Sequence, residues 1–241
     1  MGIMTRKDDY STAVDSLLKT KLDTRRGQVV PTSDSINLNN GGVWLKAVYL
    51  YTDMEDSSGL AKNHSATTAA QIVRAFLAAV TRVIRDNKGE IRSYDGDRVM
   101  AIFIGDNAPT VAARTALEIK WAVDEIVRPS LAYRLSEYLK SSWVLSSRTG
   151  IDLGDALVVR AGVRNSNDLV SIGDAPNIAA KLSDLHGART TITDRMWKEM
   201  AYSTCYSSGE GNAMWSLAYP KDIGGGRVEE IRTSNYGLKI L

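Results

Sequence analysis

Residues 44–60, WLKAVYLYTDMEDSSGL, begin as an aromatic and aliphatic run and end in acidic and small residues. Trp44 to Thr52 reads as a buried strand, closed by the turn that starts at Asp53. Beyond it, from Ser65 to Arg85, the apolar residues Ala69, Ile72, Val73, Phe76, Leu77, Val80, Val83 and Ile84 recur at three- and four-residue spacing, one face of an amphipathic helix that Gly89 ends. EIRSY and RVMAIFI then flank Asp95-Gly96, the short-range signature of a β-hairpin, which puts Asp97 at or just past its tip. Ala108 to Val127 is a second periodic helix, and Arg128-Pro129 is expected to break or kink it before Leu131 to Leu139. LSSRTGIDLGD and ALVVRAGV read as two strands joined near Gly154-Asp155, followed by a turn around Asn165 to Asp168, LVSIG, and a helix from about Asp174 to His186. Asp174 can cap that helix, and Pro176 is tolerated in its first turn. Thr193 can cap a short helix through Met200, and Met214 to Ala218 and Arg227 to Arg232 read as strands around Gly224-Gly225-Gly226. Strand, helix, hairpin, helix, strands, helix is the order of an α+β sheet with helices packed on it. Ahead of it, residues 1–42 read as an N-terminal helix (Tyr10 to Leu22) and a polar linker ending in NNGG, which leaves 43–241 as one domain.

Composition narrows the function classes. The 241 residues carry 30 Lys or Arg against 28 Asp or Glu, a net charge of +2, which excludes nucleic-acid binding by bulk phosphate neutralisation. The longest apolar runs are strand-sized, so no membrane span is expected, and the opening MGIMTRKDDY has no secretory h-region, which favours the cytoplasm. Cys205 is the only cysteine and His64 and His186 the only histidines, which argues against a Cys/His zinc site, a disulfide framework and a Cys-His nucleophile. His64 reads as a solvated surface residue, and His186 as a dipole contact at a helix C-terminus. The chemistry falls to carboxylates, amides, hydroxyls and cations.

Asp53 at a strand end and Asp97 beside a hairpin tip can meet at neighbouring strand ends, where paired carboxylates suit magnesium or manganese. On spacing alone, ordinary turn aspartates are the simpler reading. The segment Glu55, Asp56, Ser57, Ser58 and Gly59 joins the strand to a helix with small residues, where backbone N–H groups and the helix dipole can hold a triphosphate. Together these suggest two-metal phosphoryl or nucleotidyl transfer.

Four segments carry a family resemblance. AVYLYTDMEDSSGL (47–60) resembles the first metal strand and phosphate turn of the class III nucleotidyl cyclases, and YDGDRVMAIF (94–103) their Gly-Asp hairpin. GIDLGDALV (150–158) resembles their G-I-x-x-G segment, and SIGDAPNIAAKLSDLHG (171–187) their G-x-x-x-N-x-A-x-[RK] helix. The resemblance implies a ferredoxin-like α+β catalytic domain over 43–241, an antiparallel-rich sheet with helices packed on it, and a homodimer with active sites at the interface. It implies two divalent metal ions per site, Mn2+ or Mg2+, on Asp53, Asp97 and the Met54 backbone carbonyl, and no nucleic-acid or membrane partner. Asn177 matches the family's ribose-orienting Asn. Lys181 stands where most members have a phosphate-binding Arg, a departure, since an ammonium lacks the bidentate fork.

The residues expected to read the base fall at Ser93 and Val170, and neither purine-reading pair of the family is present there. Tyr51 shares a strand face with Asp53, so its ring can line the nucleotide pocket and leave room for a smaller base; a core aromatic is the equal alternative. This combination resembles the Pycsar anti-phage pyrimidine cyclases, which implies UTP or CTP as substrate, UTP favoured, and a separate cyclic-nucleotide receptor downstream. A purine cyclase with other base contacts, such as Arg92, Tyr94 or Arg98, and a degenerate domain that binds nucleotide without turnover are the competing readings.

Overall fold

A computed structural model describes residues 5–208 and 211–240. Two compact units are found, one built from the chain up to Lys46 together with Asp155–Gly173, the other from Ala47–Gly154 and the chain from Asp174 onward.

The first unit opens with helix α1 (Arg6–Lys19), started by a reciprocal cap in which the Thr5 hydroxyl and the Asp8 carboxylate each take the other's backbone N–H. The stretch read as linker holds a strand, β1 (Asp23–Gly27), parallel to the start of β2 (Gly41–Met54). Polar DTRRG carries no strand-like alternation, so the pairing comes from the neighbour's backbone rather than from its own side chains.

In the second unit, β2 runs into the short helix α2 (Ser57–Asn63) and then α3 (Ala66–Asp86). By length and composition α3 could cross a membrane, yet Ile72, Phe76, Val80 and Ile84 are packed in the principal core. The hairpin β3 (Glu90–Asp95) and β4 (Arg98–Phe103) turns at Gly96, whose φ of +61° suits glycine. The chain does not break at Arg128-Pro129. Helix α4 (Ala108–Ala122) passes through a π turn at Val123–Val127 into α5 (Arg128–Arg134), the Arg128 N–H reaching back five residues to the Val123 carbonyl. The wider turn gives the proline ring room that an α turn lacks. α6 (Ser136–Lys140) closes this helical layer.

The two expected strands around Gly154 are one, β5 (Ser147–Val163), whose far end forms a hairpin with β6 (Ser166–Ile172) in the first unit. Helix α7 (Asp174–Ser183) ends earlier than expected, and β7 (Thr190–Thr193), α8 (Asp194–Lys198), α9 (Tyr202–Cys205), β8 (Tyr219–Asp222) and β9 (Val228–Ser234) complete the chain. Met214 to Ala218 is not a strand. The pairing strand begins at Tyr219 instead, while Met214 and Trp215 are buried in the core. The sheet order is β3-β4-β2-β5-β7-β9-β8, with β1 on β2 and β6 on β5, nine strands among the described residues. This is the α+β, largely antiparallel architecture that the sequence implies.

Two glycines seat α7 on the sheet. A Cβ at Gly150 would stand 2.2 Å from the Ala179 carbonyl oxygen and 2.3 Å from the Ser183 nitrogen, both backbone atoms, and one at Gly154 would stand 3.2 Å from the Ala175 Cβ. The G-I-x-x-G spacing is therefore a packing requirement: only a bare backbone lets the helix come this close.

Candidate active site

Antiparallel register sets Tyr51 opposite Met100 and Thr52 opposite Val99, so Asp53 and Asp97 fall at adjoining strand ends. Asp53 accepts the Met54 N–H through Oδ1 at 3.0 Å. Its Oδ2 accepts two bonds from the Arg98 guanidinium, from Nε at 3.2 Å and Nη2 at 3.0 Å. The same guanidinium is paired with Asp184, just past the C-terminus of α7.

Asp97 differs from its neighbour. Its Oδ2 is buried and, among the described residues, has no hydrogen-bond partner. Burial, and next the Asp53 charge beside it, raise its carboxyl above the usual carboxylate range, against a weaker opposing pull from Arg98. Burial also works against the Arg98 charge, but Asp53 and Asp184 outweigh it and hold the guanidinium above its ordinary value. One carboxylate is thus ion-paired, and the other keeps an oxygen that is unpartnered among the described residues. That is the donor set a hard divalent cation fits.

A cleft of about 350 Å3 adjoins the pair and is lined by Ser57, Leu60, Ala69, Val73, Gly96 and Asp97 among others. The turn before it is internally occupied. Asp56, left-handed at φ +54°, caps α2 with its own carboxylate on the Gly59 N–H at 3.0 Å, and Trp143 Nε1 donates to its carbonyl at 3.0 Å. Glu55 turns toward Ser146, whose hydroxyl donates to it at 2.8 Å. Ser57 and Ser58 are exposed. His64 is not a surface residue: it is buried against Tyr138 and Trp143, its Nδ1–H donating to the Leu60 carbonyl at 3.1 Å. It supports this turn from below.

On α7, Asp174, Asn177 and Lys181 share one outward face at the i, i+3, i+7 spacing, while Ala175, Ile178, Ala179 and Leu182 are buried. Asn177 is exposed, and among the described residues its side chain has no hydrogen-bond partner. Lys181 donates to the Gly224 carbonyl at 2.9 Å. Among the described residues, neither Asn177 nor Lys181 is hydrogen-bonded or ion-paired to Asp53 or Asp97. Tyr51 is half-buried, and burial raises its hydroxyl pKa against a weaker opposing pull from Arg98. Ser93 is half-buried on β3. Val170 belongs to the first unit, exposed on β6 opposite Val159. Asp184 was missed by sequence reading because it lies at no motif position, and Arg98 was read only as an alternative base contact.

No protein-family model matches the chain. Curated relatives do: it is 37% identical over 213 residues to the uridylate cyclase of Xanthomonas perforans, covering 88% of this chain and 90% of that one. To the uridylate cyclase of Rhodovulum sp. (strain MB263) it is 38% identical over 193 residues, 80% of each. The chain belongs to the nucleotidyl cyclase family that includes these proteins. Solved cyclase structures share its fold at lower identity. The adenylyl cyclase CyaB from P. aeruginosa aligns with a TM-score of 0.63 at 16% identity over 80% of this chain and 95% of that one. A bacterial light-regulated adenylyl cyclase aligns at 0.68 and 20% identity over 86% of this chain, which spans only 57% of that protein.

Proposed function

We propose that this cyclase converts a pyrimidine nucleoside triphosphate, UTP before CTP, to its 3′,5′-cyclic monophosphate and pyrophosphate. The observation that carries the placement of the chemistry is the Asp53–Asp97 pair, with one oxygen of Asp97 buried and unpartnered. UTP is supported by the relatives named uridylate cyclase and by the absence of a charged side chain at Ser93 and Val170. Tyr51 fills part of the space beside Asp53 and so favours the smaller base.

Asp53, Asp97 and the Met54 carbonyl would hold two divalent ions, Mn2+ or Mg2+. When bound, these ions acidify the ribose 3′-hydroxyl and neutralise triphosphate charge. Asp53 releases Arg98 to do this, and Arg98 keeps Asp184 as its counter-ion. Asn177 orients the ribose so that O3′ lies in line with the α-phosphorus. The O3′–Pα bond forms as O3′ gives up its proton to solvent and the bond from Pα to the oxygen that joins it to Pβ breaks, that oxygen leaving as a terminal oxygen of pyrophosphate. Lys181 donates N–H groups to the phosphate oxygens on which charge grows. In the homodimer that the family resemblance implies, Asn177 and Lys181 serve the site of a second protomer. Ser57 and Ser58 border the triphosphate. The product acts as a second messenger, read by a separate cyclic-nucleotide receptor in anti-phage defence.

The test is incubation of the purified protein with ATP, GTP, CTP and UTP separately in Mn2+, with products identified by mass. Cyclic UMP is the expected product. A cyclic purine overturns the base reading, and no product from any nucleotide overturns the assignment of turnover.

A further inference from the structure

The glycine-rich turn between β8 and β9 makes three separate contacts with α7. Ile223 is buried in a small cluster with Ile178 and Leu182 of the helix and Ile231 of β9. Arg227 grips the first residue of the helix with a fork, Nη1 and Nη2 donating to the two oxygens of Asp174 at 2.9 and 3.2 Å. Between these anchors the Gly224 carbonyl accepts from Lys181 Nζ at 2.9 Å.

The turn itself is built tightly. The Ile223 N–H closes onto the Arg227 carbonyl at 2.9 Å, and the Asp222 carboxylate takes the Gly224 N–H at 2.8 Å. Gly224, Gly225 and Gly226 have φ of +89°, +68° and +72°, three successive residues in the region that side chains disfavour. Its far side is tied inward as well. Arg227 Nε donates to Glu229 at 2.7 Å, Arg195 reaches the same carboxylate, and Arg195 also grips the fully buried Asp152 of β5.

A lysine ammonium ends a flexible four-carbon stem and carries no preferred direction of its own. A carbonyl that takes one of its three N–H groups restricts the stem and leaves the other two for anionic oxygens. We propose that the β8–β9 turn is the positioning element of Lys181, its Gly224 carbonyl aiming the ammonium and its Ile223 and Arg227 anchors holding that carbonyl in register with α7. This deepens the proposed function and rests on it for the statement that Lys181 meets phosphate.

The experiment compares wild type with Gly226→Val, Gly226→Asn, Arg227→Gln, Lys181→Gln and the Gly226→Val/Lys181→Gln double variant. A Cβ at Gly226 meets nothing within 4 Å, so valine acts through backbone strain alone, and asparagine tolerates the same φ. Acylation of each lysine by an amine-reactive ester is read by peptide mass spectrometry, alongside kcat and KM for UTP with Mn2+. In Gly226→Val and Arg227→Gln, Lys181 labelling rises several-fold with other lysines unchanged, and kcat falls about 10- to 100-fold with little change in KM. Gly226→Asn restores both, and Gly226→Val costs nothing further in the Lys181→Gln background. Unchanged Lys181 labelling in the folded Arg227→Gln protein overturns the proposal, as does an equal loss of kcat in the Lys181→Gln background. Full turnover by Lys181→Gln, or none by wild type, removes the catalytic reading instead, and the labelling arm still decides the positioning.

Discussion

Arg98 stands between two carboxylates of different character. Asp53 and Asp184 are both bound to it, so the guanidinium is an internal counter-ion to two carboxylates at once. Asp53 and Asp97 are like charges partly withdrawn from water and need a cation; Arg98 bonds Asp53 directly and pulls only weakly on Asp97. Arg98→Gln is therefore expected to cost about 1 kcal/mol of stability, the pair being partly exposed, and to tighten Mn2+ binding, since no guanidinium has to be displaced. Calorimetric Mn2+ titration without nucleotide, set beside urea midpoints, checks both signs; weaker Mn2+ binding would show that Arg98 assists the metal instead. Asp97→Asn keeps the shape of the site and removes the charge, and is expected to lower turnover by about 100-fold or more with the fold intact. Normal turnover with a native melting curve would remove Asp97 from the chemistry. Both residues were legible as carboxylates at strand ends, because register follows from the hairpin turn. The pairing of Arg98 was not, because an arginine stem reaches any of several acids and only packing selects one.

Among the elements, α7 depends on how closely β5 lets it approach. Gly150→Ala would drive a Cβ into the Ala179 carbonyl and the Ser183 nitrogen, which are backbone atoms and cannot rotate away. Its expected cost is about 3 kcal/mol, and Gly154→Ala, facing only the Ala175 methyl at 3.2 Å, should cost less. Denaturant midpoints for the two variants check the order, and equal values would mean that α7 shifts as a body. The π turn in the α4–α5 helix contains Asp124, which is paired with Lys120 at 3.0 Å, Arg128 at 2.9 Å and Arg189 at 3.2 Å. Burial disfavours its charge, yet Lys120 and Arg189 outweigh burial and hold its carboxyl below the usual range. A folded value below the unfolded one, about 3.9, gives stability that is present above about pH 4 and is lost as pH falls through the folded value. Asp124→Asn should flatten that acid limb, as urea midpoints at neutral and acid pH would show. The proline that suggested a break was read correctly as a disturbance of α geometry. What sequence periodicity could not express is that one wide turn absorbs it while the helix continues.

For the whole molecule, the proposed site takes its carboxylates from one protomer and Asn177 and Lys181 from another. Mixing Asp53→Ala with Lys181→Ala tests this arrangement directly. Each mixed dimer carries one intact site and one doubly damaged site, so about a quarter of wild-type activity should return from two inactive proteins under random pairing. Activity that stays at the level of the separate variants would place the whole site within one chain.

The sequence by itself determined the element order from Trp44 to Ser183, the hairpin at Asp95-Gly96, the carboxylate positions and the face shared by Asn177 and Lys181. These follow from turn chemistry and from periods of two and 3.6 residues, which are local properties of a chain. The resemblance in its four segments carried the family, and the relatives' identity bears it out. Only the tertiary structure decided that polar β1 is a strand, that β5 is continuous, that His64 is buried, that Arg98 pairs with both Asp53 and Asp184, and that the β8–β9 turn meets Lys181. Each depends on a partner far away in sequence, on Asp53 for Arg98 and on Gly224 for Lys181, and packing rather than local preference chooses such partners.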